Sequence, residues 1–407
     1  SGDRAAMEAQ IAKIEPKDVA GYRSFLDESR RIYEVAFEQL AHKPFHSLLF
    51  TAKTLARLVR LGGYRSVYSV VSKHFRSDKL RTLFSFHPLL IGGNPYSATS
   101  FYCLIAHLEG KYGVHHAVGG THALVRGIAS LVTRNGGRVR LQETVVEIET
   151  EGSRATGVRL ASGERIAADI VVSNADPATT YGELLKAHPR RRWTDAKLAR
   201  GDYSMSLFVW YFGTSRRYDD VLHHTMLFGP RYKGLLDDIF RKHRLAADFS
   251  LYLHRPTASD PSLAPAGCDA FYVLSPVPNL ASGTDWTETA EHYRRKIEKR
   301  LEETVLPDLS RHIVTSRIAT PMDFRDRLLS WQGAAFALEP KLFQSAWFRP
   351  HNKSEELDNL FLCGAGTHPG AGLPGVVSSA RIVADLVPDP ATIMAETWEA
   401  QARRKSP

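Results

Sequence analysis

Cysteine and long apolar runs are scarce in this 407-residue sequence, and each scarcity excludes a class of protein. The three cysteines, Cys103, Cys268 and Cys363, are far apart and form no CxxC pair, which excludes a disulfide framework and a cysteine-based zinc site. This cysteine usage is typical of a reducing compartment, so we expect a cytoplasmic protein. No stretch has the roughly 20 apolar residues of a membrane-spanning helix, and the first residues contain no signal-peptide core. Internal repeats and low-complexity tracts are also absent.

The composition is that of a globular protein with a basic surface. Hydrophobic residues make up 43% of the chain, enough for a substantial core and two or three domains. The formal net charge of +9 indicates an acidic partner, which the charge alone leaves open between nucleic acid and anionic lipid.

Acidic residues are missing between Glu38 and Asp78, where the chain carries seven lysines and arginines. Spacing on a predicted helix places Lys53, Arg57 and Arg60 on one face and apolar residues, including Leu55 and Leu58, on the other. This pattern predicts a helix in a membrane interface, so we expect peripheral attachment to anionic lipid. The alternative is an amphipathic helix docked on the protein with a solvated basic side. The aromatic residues lie within aliphatic runs, which argues against nucleic acid as a partner.

Periodicity predicts the secondary structure in outline. Helices are expected over 25–40, 48–61, 80–90, 287–306 and 374–387, and strands over 138–149, 169–177, 204–213, 248–256, 270–278 and 358–366. Another helix follows Gly119 and Gly120, with Leu124, Ile128 and Leu131 inward, and ends at 135–137. In the last helix the residues expected to be buried are Val376, Val377, Ala380, Val383 and Ala384. Adjacent residues of a strand point to opposite faces, so His223 and His224 are not expected to share a metal, and we predict no metal site.

The stretch GAGTHPGAGLPGV, 364–376, has five glycines in thirteen residues. Its GxGxxG, 370–375, is not a dinucleotide fingerprint, because three residues separate it from the preceding strand. Glycines allow a flat ligand to approach the main chain, and Pro374 predicts a helix start with N–H groups facing that ligand. This arrangement suits a ligand that becomes negative, such as a reduced flavin. A glycine-rich turn without a ligand is the alternative.

With its neighbours in NLFLCGAGTHPGAGLPGVVSSA, 359–380, this stretch resembles the C-terminal signature of the bacterial and fungal phytoene desaturases, which are FAD enzymes. Further resemblances to that family are FSFHPLLIGGNPYSATS (84–100), GVHHAVGGTHALV (113–125), VVSNADP (171–177), HHTMLFGPRYKGL (223–235), DFSLYLH (248–254), CDAFYVLSPVP (268–278) and QSAWFRPHN (344–352). The likeness extends from about residue 10 to residue 387.

The resemblance implies a mixed α/β fold, the FAD-dependent oxidoreductase fold of the amine-oxidase type. It implies a discontinuous FAD domain, a mixed-sheet substrate domain and a helical membrane-facing subdomain. The expected segments are the remainder of an N-terminal FAD region (1–15), the helical subdomain (16–110), an FAD-domain fragment (111–177), the substrate domain (178–350), a second FAD-domain fragment (351–390) and a polar tail (391–407).

The resemblance also implies the cofactor, FAD, and its contacts. The backbone of Val145 is expected beside the adenine, and the other expected contacts are Gly119, Gly120, Gly364, Gly366, Thr367, Gly370, Gly372, Gly375 and Val376. The family's opening βαβ unit with its GxGxxG turn is absent from these 407 residues. We therefore expect weak or no FAD binding by this chain unless that segment is restored.

The family's substrate is phytoene, a hydrocarbon without a polar handle, so recognition requires an apolar tunnel. The implied reaction is hydride loss to the flavin followed by proton loss, towards neurosporene or lycopene, with quinone or oxygen as final electron acceptor. Asp78 and Arg81 are the acid/base pair we single out, although their spacing is equally that of a surface ion pair. His368 is expected to pack or to bond the backbone. A related carotenoid isomerase or oxidase, and an FAD-free chain that binds carotenoid or a partner, are alternatives; a homo-oligomer stays open.

Overall fold

The computed structural model describes residues 3–393, which form two compact units. The first unit comprises Ser1–Gly113, Glu143–Tyr203 and Phe336–Pro407, and the second comprises Val114–Gln142 and Ser204–Ala335. The predicted tail, 391–407, lies outside the described residues from residue 394 onward. The six segments inferred from the resemblance stay a prediction, because these units group residues by contact alone.

The helices and strands are labelled in chain order. The α-helices are α1 (Arg4–Ile14), α2 (Asp18–Ala36), α3 (Leu48–Arg60), α4 (Val67–His74), α5 (Asp78–Ser85), α6 (Leu104–Tyr112), α7 (Gly120–Arg134), α8 (Pro177–Thr179), α9 (Asp195–Ala199), α10 (Tyr232–Phe240), α11 (Trp286–Thr304), α12 (Leu309–His312), α13 (Pro321–Leu328) and α14 (Leu373–Leu386). The strands are β1 (Val145–Glu151), β2 (Arg154–Leu160), β3 (Arg165–Ala167), β4 (Val171–Ser173), β5 (Ser206–Thr214), β6 (His224–Leu227), β7 (Leu251–His254), β8 (Asp269–Val277), β9 (Ile313–Ala319) and β10 (Leu360–Leu362).

In the first unit, α1, α2, α4 and α5 surround one apolar core. Its buried residues include Ile11, Phe25, Val71, Phe75 and Leu80. The helix predicted over 48–61 is confirmed as α3. The helix predicted over 80–90 is divided between α5 and a 3-10 turn, His87–Ile91, because Pro88 provides no N–H group for a continuing α-helix.

The first unit also contains two small sheets. Strands β1, β2 and β3 are antiparallel in that order, and β10 pairs with β4 in parallel. The predicted strand over 138–149 was wrong in its first half, because 138–144 forms no strand and β1 begins at Val145. The strand predicted over 169–177 is reduced to the three residues of β4.

The second unit is built on a five-stranded antiparallel sheet in the order β6-β7-β8-β5-β9. One face of the sheet packs against α11, in a core that includes Phe208, Val273, Trp286, Ile297 and Leu301. The strands predicted over 204–213, 248–256 and 270–278 correspond to β5, β7 and β8, whereas β6 and β9 were not predicted.

Helix α7 was predicted correctly in its extent but not in its environment. Leu124, Ile128 and Leu131 were expected to face inward, yet their exposed fractions are 44%, 54% and 52%. Periodicity identifies the apolar side of a helix but does not reveal whether another element covers it. Within residues 3–393, every helix is too short or too polar to pass through a lipid bilayer.

Candidate functional site

The glycine-rich loop lies where a short parallel strand pair ends. Strands β4 and β10 pair residue by residue from Val171 and Leu360, and the N–H of Cys363 extends the pairing by bonding Ser173 O at 3.0 Å. Residues 363–372 then connect the carboxyl end of β10 to α14. Ligands of open α/β sheets bind beyond the carboxyl ends of parallel strands, so this loop is in a position to form a binding site.

The loop is fixed by buried polar side chains from other elements. The N–H of Gly364 donates to Ser379 Oγ on α14 at 2.6 Å. The amide of Asn352 donates to Leu362 O, Thr367 Oγ1 and His368 O at 3.1 to 3.3 Å. These bonds provide partners for one N–H group, one hydroxyl and two carbonyl oxygens in or beside the loop, and they hold the loop in one conformation.

Arg349 is a buried cation beneath this loop. Its side chain is 2% exposed, and its guanidinium donates to the carbonyl oxygens of Gly366 at 3.1 Å and Ala365 at 2.8 Å. Two further bonds reach Leu338 O and Gln344 O. Burial lowers the pKa of Arg349 from its ordinary value, with partial opposition from Tyr102 and Asp176. Arginine nonetheless stays protonated in proteins, so the loop lies over a fixed positive charge.

The loop glycines serve two different purposes. A Cβ on Gly364 would lie 2.2 Å from Asn174 Oδ1, one on Gly366 2.1 Å from Pro177 Cδ, and one on Gly375 2.5 Å from Gly370 O. These three glycines are therefore required for packing within the protein. Gly370 and Gly372 have φ values of +129° and +95°, and a Cβ there would meet nothing closer than 3.5 Å. Only these two leave the loop backbone open to a ligand.

Helix α14 begins directly after the loop, with Gly372 as N-cap and Pro374 in the first turn. The first N–H groups of a helix have no intrahelical acceptor and form the positive end of its dipole. The predicted burial of α14 was partly wrong: Val383 is buried and Val376 is half-buried, but Val377, Ala380 and Ala384 are exposed. Leu373 and Val377, at 61% and 64% exposed, therefore form an uncovered apolar edge beside the loop.

These features fit the ring system of a flavin. Gly370 and Gly372 allow a flat ring to approach the main chain, and the start of α14 offers N–H donors. Arg349 supplies a positive charge beneath the loop. Some of the contacts predicted in this part of the chain therefore hold the loop together, and others leave its surface open to a ligand. The predicted contacts are Gly364, Gly366, Thr367, Gly370, Gly372, Gly375 and Val376.

The other predicted cofactor contacts lie elsewhere in the chain. Val145 is the half-buried first residue of β1, in the first unit. Gly119 and Gly120 lie in the second unit at the start of α7, and the N–H of Gly119 donates to Asp260 Oδ2 at 2.9 Å. Their roles at the cofactor stay predictions.

Asp78 and Arg81 form an ion pair on α5. The pair is 3.0 Å long, and the Asp78 side chain is 88% exposed. Arg81 also donates to Phe75 O at 2.8 Å. This geometry is the i,i+3 surface ion pair that the sequence left open, and the catalytic role of the two residues stays a prediction.

His368 behaves as the sequence indicated. Its ring lies 4.7 Å from that of Phe45, and its Nε2 is 3.3 Å from Leu40 O. Burial lowers the pKa of His368 to about 4, so the imidazole is neutral at pH 7. It packs and bonds the backbone, as expected.

The first unit also contains a cavity of about 200 Å³ beside Gly366, with a lining that includes Pro177, Trp193, Phe343 and Phe348. Pockets for drug-sized ligands have volumes of roughly 300 to 1,000 Å³, so this cavity is too small for a long hydrocarbon.

His223 and His224 were expected to diverge, and that expectation was wrong. Their ring centroids are 4.4 Å apart, because His223 lies in a bend before β6 rather than in the strand itself.

Comparison with known proteins shows which family and which relatives this chain resembles. The family described as flavin containing amine oxidoreductase matches residues 12–388. A neurosporene-forming phytoene desaturase of Rhodobacter capsulatus is 49% identical over 394 residues, covering 95% of this chain and 75% of the relative. A lycopene-forming phytoene desaturase of Pantoea ananas is 46% identical, with coverage of 95% and 78%.

The fold has a solved counterpart. A structure of a putrescine oxidase variant matches with a TM-score of 0.56 at 13% identity, covering 92% of this chain and 76% of that structure. These comparisons confirm both the resemblance drawn from the sequence motifs and the amine-oxidase type of fold.

Proposed function

This chain belongs to the flavin containing amine oxidoreductase family. We propose that it catalyses the FAD-dependent desaturation of phytoene. The observation that carries the proposal is the likeness to phytoene desaturases over nearly the whole chain. Each new double bond requires that the substrate lose a hydride from an allylic carbon and a proton from the neighbouring carbon. The products are neurosporene or lycopene.

FAD, when bound, supplies the acceptor for the hydride. The residues of this chain then have two tasks, to hold the ring and to stabilise the negative charge that it gains. The N–H groups at the start of α14 and the guanidinium of Arg349 are the groups suited to the second task. Asn352 and Ser379 hold the loop so that these groups are already oriented before the reaction.

For the proton we propose Asp78 as acceptor, with Arg81 orienting its carboxylate through their 3.0 Å ion pair. The substitution Asp78→Asn then lowers kcat, whereas Asp27→Asn, at an exposed carboxylate of α2, leaves it unchanged. If Asp78→Asn also left kcat unchanged, the pair would be only a surface ion pair.

The reaction itself is tested by incubating the chain with FAD and phytoene in liposomes and separating the products by chromatography. We expect phytoene to be consumed and more highly conjugated products to appear. Products with an unchanged number of hydrogens would indicate an isomerase. Unchanged phytoene in the presence of a chain that retains flavin would contradict the proposal.

The cofactor site is tested at Arg349. Lysine keeps the charge of Arg349 but cannot replace its fork of donors to four carbonyl oxygens, so Arg349→Lys is expected to lower FAD affinity at least about tenfold. The matched control is Arg381→Lys at an exposed position of α14. Titration with excess FAD, followed by the change in flavin fluorescence, measures the affinity, and equal affinities of both variants would exclude a role for Arg349.

We further propose that α3 attaches the protein to anionic membrane lipid, where substrate and product dissolve. The exposed apolar side of α3 is formed by Leu48, Leu55 and Val59, at 65%, 53% and 51% exposed. The cations Lys53, Arg57 and Arg60 are also exposed, on another side of the helix. Leu58 is half-buried and lies on the side of the buried Thr54, so it belongs to the face that packs on the protein.

A polar cavity of about 250 Å³ lies at the end of α3. Its lining includes the four cations Arg31, Arg60, Arg65 and Lys73, and one carboxylate, Glu28. This excess of positive charge suits a lipid phosphate and supports the same proposal. Quinone or oxygen as electron acceptor, and a homo-oligomeric state, are further proposals that follow from the resemblance alone.

A further inference from the structure

Four histidines of the second unit lie close together on the sheet face opposite its apolar core. They are His116, before α7, His223, before β6, His224, in β6, and His254, in β7, and together they are called the histidine cluster. The site proposed for flavin and phytoene uses none of them.

Three members of the cluster bring ring nitrogens together. One nitrogen each from His223, His224 and His254 lies within 4.8 Å of the others. The sheet accounts for one pair, because His224 and His254 are directly opposite each other in β6 and β7 and therefore share a face. His223 joins them because its bend turns the ring, 4.6 Å by centroid from that of His254, to the same side.

Oxygen atoms orient these three rings. Nδ1 of His223 lies 2.5 Å from Ser259 Oγ, and Nδ1 of His224 lies 2.6 Å from Tyr252 Oη. Nδ1 of His254 lies 3.3 Å from the same tyrosine hydroxyl. In the tautomer that donates from Nδ1 to these oxygens, each Nε2 carries a lone pair. Metal-binding histidines usually have such an oxygen partner on the second ring nitrogen.

His116 adds a fourth imidazole. Its ring centroid is 5.1 Å from that of His223, and its Nε2 is buried and has no hydrogen-bond partner within residues 3–393. The bond from the N–H of Gly119 to Asp260 holds the segment that carries His116. A buried nitrogen without a partner costs free energy unless a ligand satisfies it.

We propose that the histidine cluster binds one divalent transition-metal ion of the zinc type, with His223, His224 and His254 as ligands and His116 as an additional donor. Three imidazoles are a known ligand set for Zn²⁺ and leave a fourth position for water or another donor. The ion ties the edge strand β6 and its neighbour β7 to the segment before α7. Ring packing alone, as between His254 and Tyr272 at 4.5 Å, explains neither the nitrogen convergence nor the buried Nε2 of His116.

The test is titration of the full chain, prepared without a histidine tag and freed of metal, with Zn²⁺ and with Co²⁺. We expect one ion per chain with a submicromolar Kd, visible absorption bands of low-symmetry Co²⁺, and a rise in Tm with Zn²⁺. The variant Tyr252→Phe keeps all ligands but loses the oriented hydroxyl, so its affinity should fall by about 10- to 100-fold. His254→Gln should abolish the absorption bands.

The matched control is His292→Gln, at an exposed histidine of α11 outside the cluster, which should bind Zn²⁺ like the unaltered chain. Circular dichroism verifies that each variant is folded. The unaltered, folded chain provides a test that does not depend on any variant: if it fails to bind Zn²⁺ below micromolar concentration, the proposal is overturned. Unchanged binding by a folded His254→Gln variant would overturn it as well.

Discussion

Glu339 shows how burial sets the ionisation of a single carboxyl. Its side chain is almost fully buried, and Lys341 Nζ lies 3.3 Å from it while also bonding Asp202 at 3.0 Å. Burial outweighs the attraction of Lys341 and raises the pKa of Glu339 to about 7, from an ordinary value of 4.5. The folded chain therefore holds this proton more tightly than the unfolded chain does.

The sign of the resulting pH dependence follows directly. Between pH 4.5 and about 7 the folded state binds more protons at Glu339, so this group's contribution to stability falls as pH rises through that window. Glu339→Gln removes the ionisation and should stabilise the protein at pH 8 by up to about 3 kcal/mol, with little change at pH 4.5. Urea unfolding at both pH values measures the difference. The exposed Glu183→Gln serves as control, and an equal effect of Glu339→Gln at the two pH values would contradict the argument.

Arg349 and Asn352 are residues of the candidate site that the sequence does not predict. The sequence identified the glycine loop, because glycine and proline have local backbone consequences. It did not identify the side chains beneath the loop, because Arg349 reaches Gly366 and Asn352 reaches His368 across 17 and 16 residues. The one available signal was their position in QSAWFRPHN, a stretch that resembles the family. The pairing of His224 with His254 was equally unpredictable, because it depends on the register of two strands.

At the scale of elements, substituting glycines tests whether the space around a glycine decides the effect of an added side chain on stability. Gly366 has no room for a side chain, because an added Cβ would lie 2.1 Å from the ring of Pro177. Gly127, within α7, has nothing within 4 Å. Gly366→Ala should therefore lower the free energy of unfolding by about 1–3 kcal/mol, whereas Gly127→Ala should raise it by about 0.5–1 kcal/mol. Urea unfolding distinguishes the two, and changes of the same sign would show that local packing does not decide the outcome.

The sequence predicted elements best where one face of a long segment is apolar. Helices α3, α7 and α11 lie within a few residues of their predicted positions, since each contains several turns of consistent spacing. Strand β6 was missed because it is short and partly polar, and β9 was missed because its sequence, IVTSRIA, does not alternate regularly between apolar and polar residues. The segment 138–144 was overpredicted, because a strand needs a partner for its backbone groups and sequence does not show one.

At the scale of the whole molecule, each unit has its own apolar core. The periodicity of the sequence predicts the second unit better than the first. The core of the second unit is one sheet face covered by α11, so alternation predicted its central strands well. The first unit combines helices with two small sheets from three separated segments. Sequence patterns do not show which distant segments assemble, and the family resemblance supplied that part of the prediction.

The net charge of +9 raises the question of whether membrane binding arises from the whole molecule or from α3 alone. Two triple variants separate these causes, because each lowers the net charge from +9 to +3. One replaces Lys53, Arg57 and Arg60 of α3 with glutamate, and the other does so at Lys296, Lys299 and Arg300 on the exposed side of α11.

Each cation near an anionic surface contributes about 1 kcal/mol, so the α3 variant should lose at least about 100-fold in affinity for anionic vesicles. If α3 alone contacts the lipid, the α11 variant should retain most of its binding, because an exposed charge outside that contact is screened within about 8 to 10 Å at ordinary salt. Vesicle sedimentation measures both. Equal losses would assign binding to the overall charge, and no loss in either would exclude electrostatic attachment. A loss confined to the α3 variant means that this helix, which also exposes Leu48, Leu55 and Val59, is the element that contacts lipid.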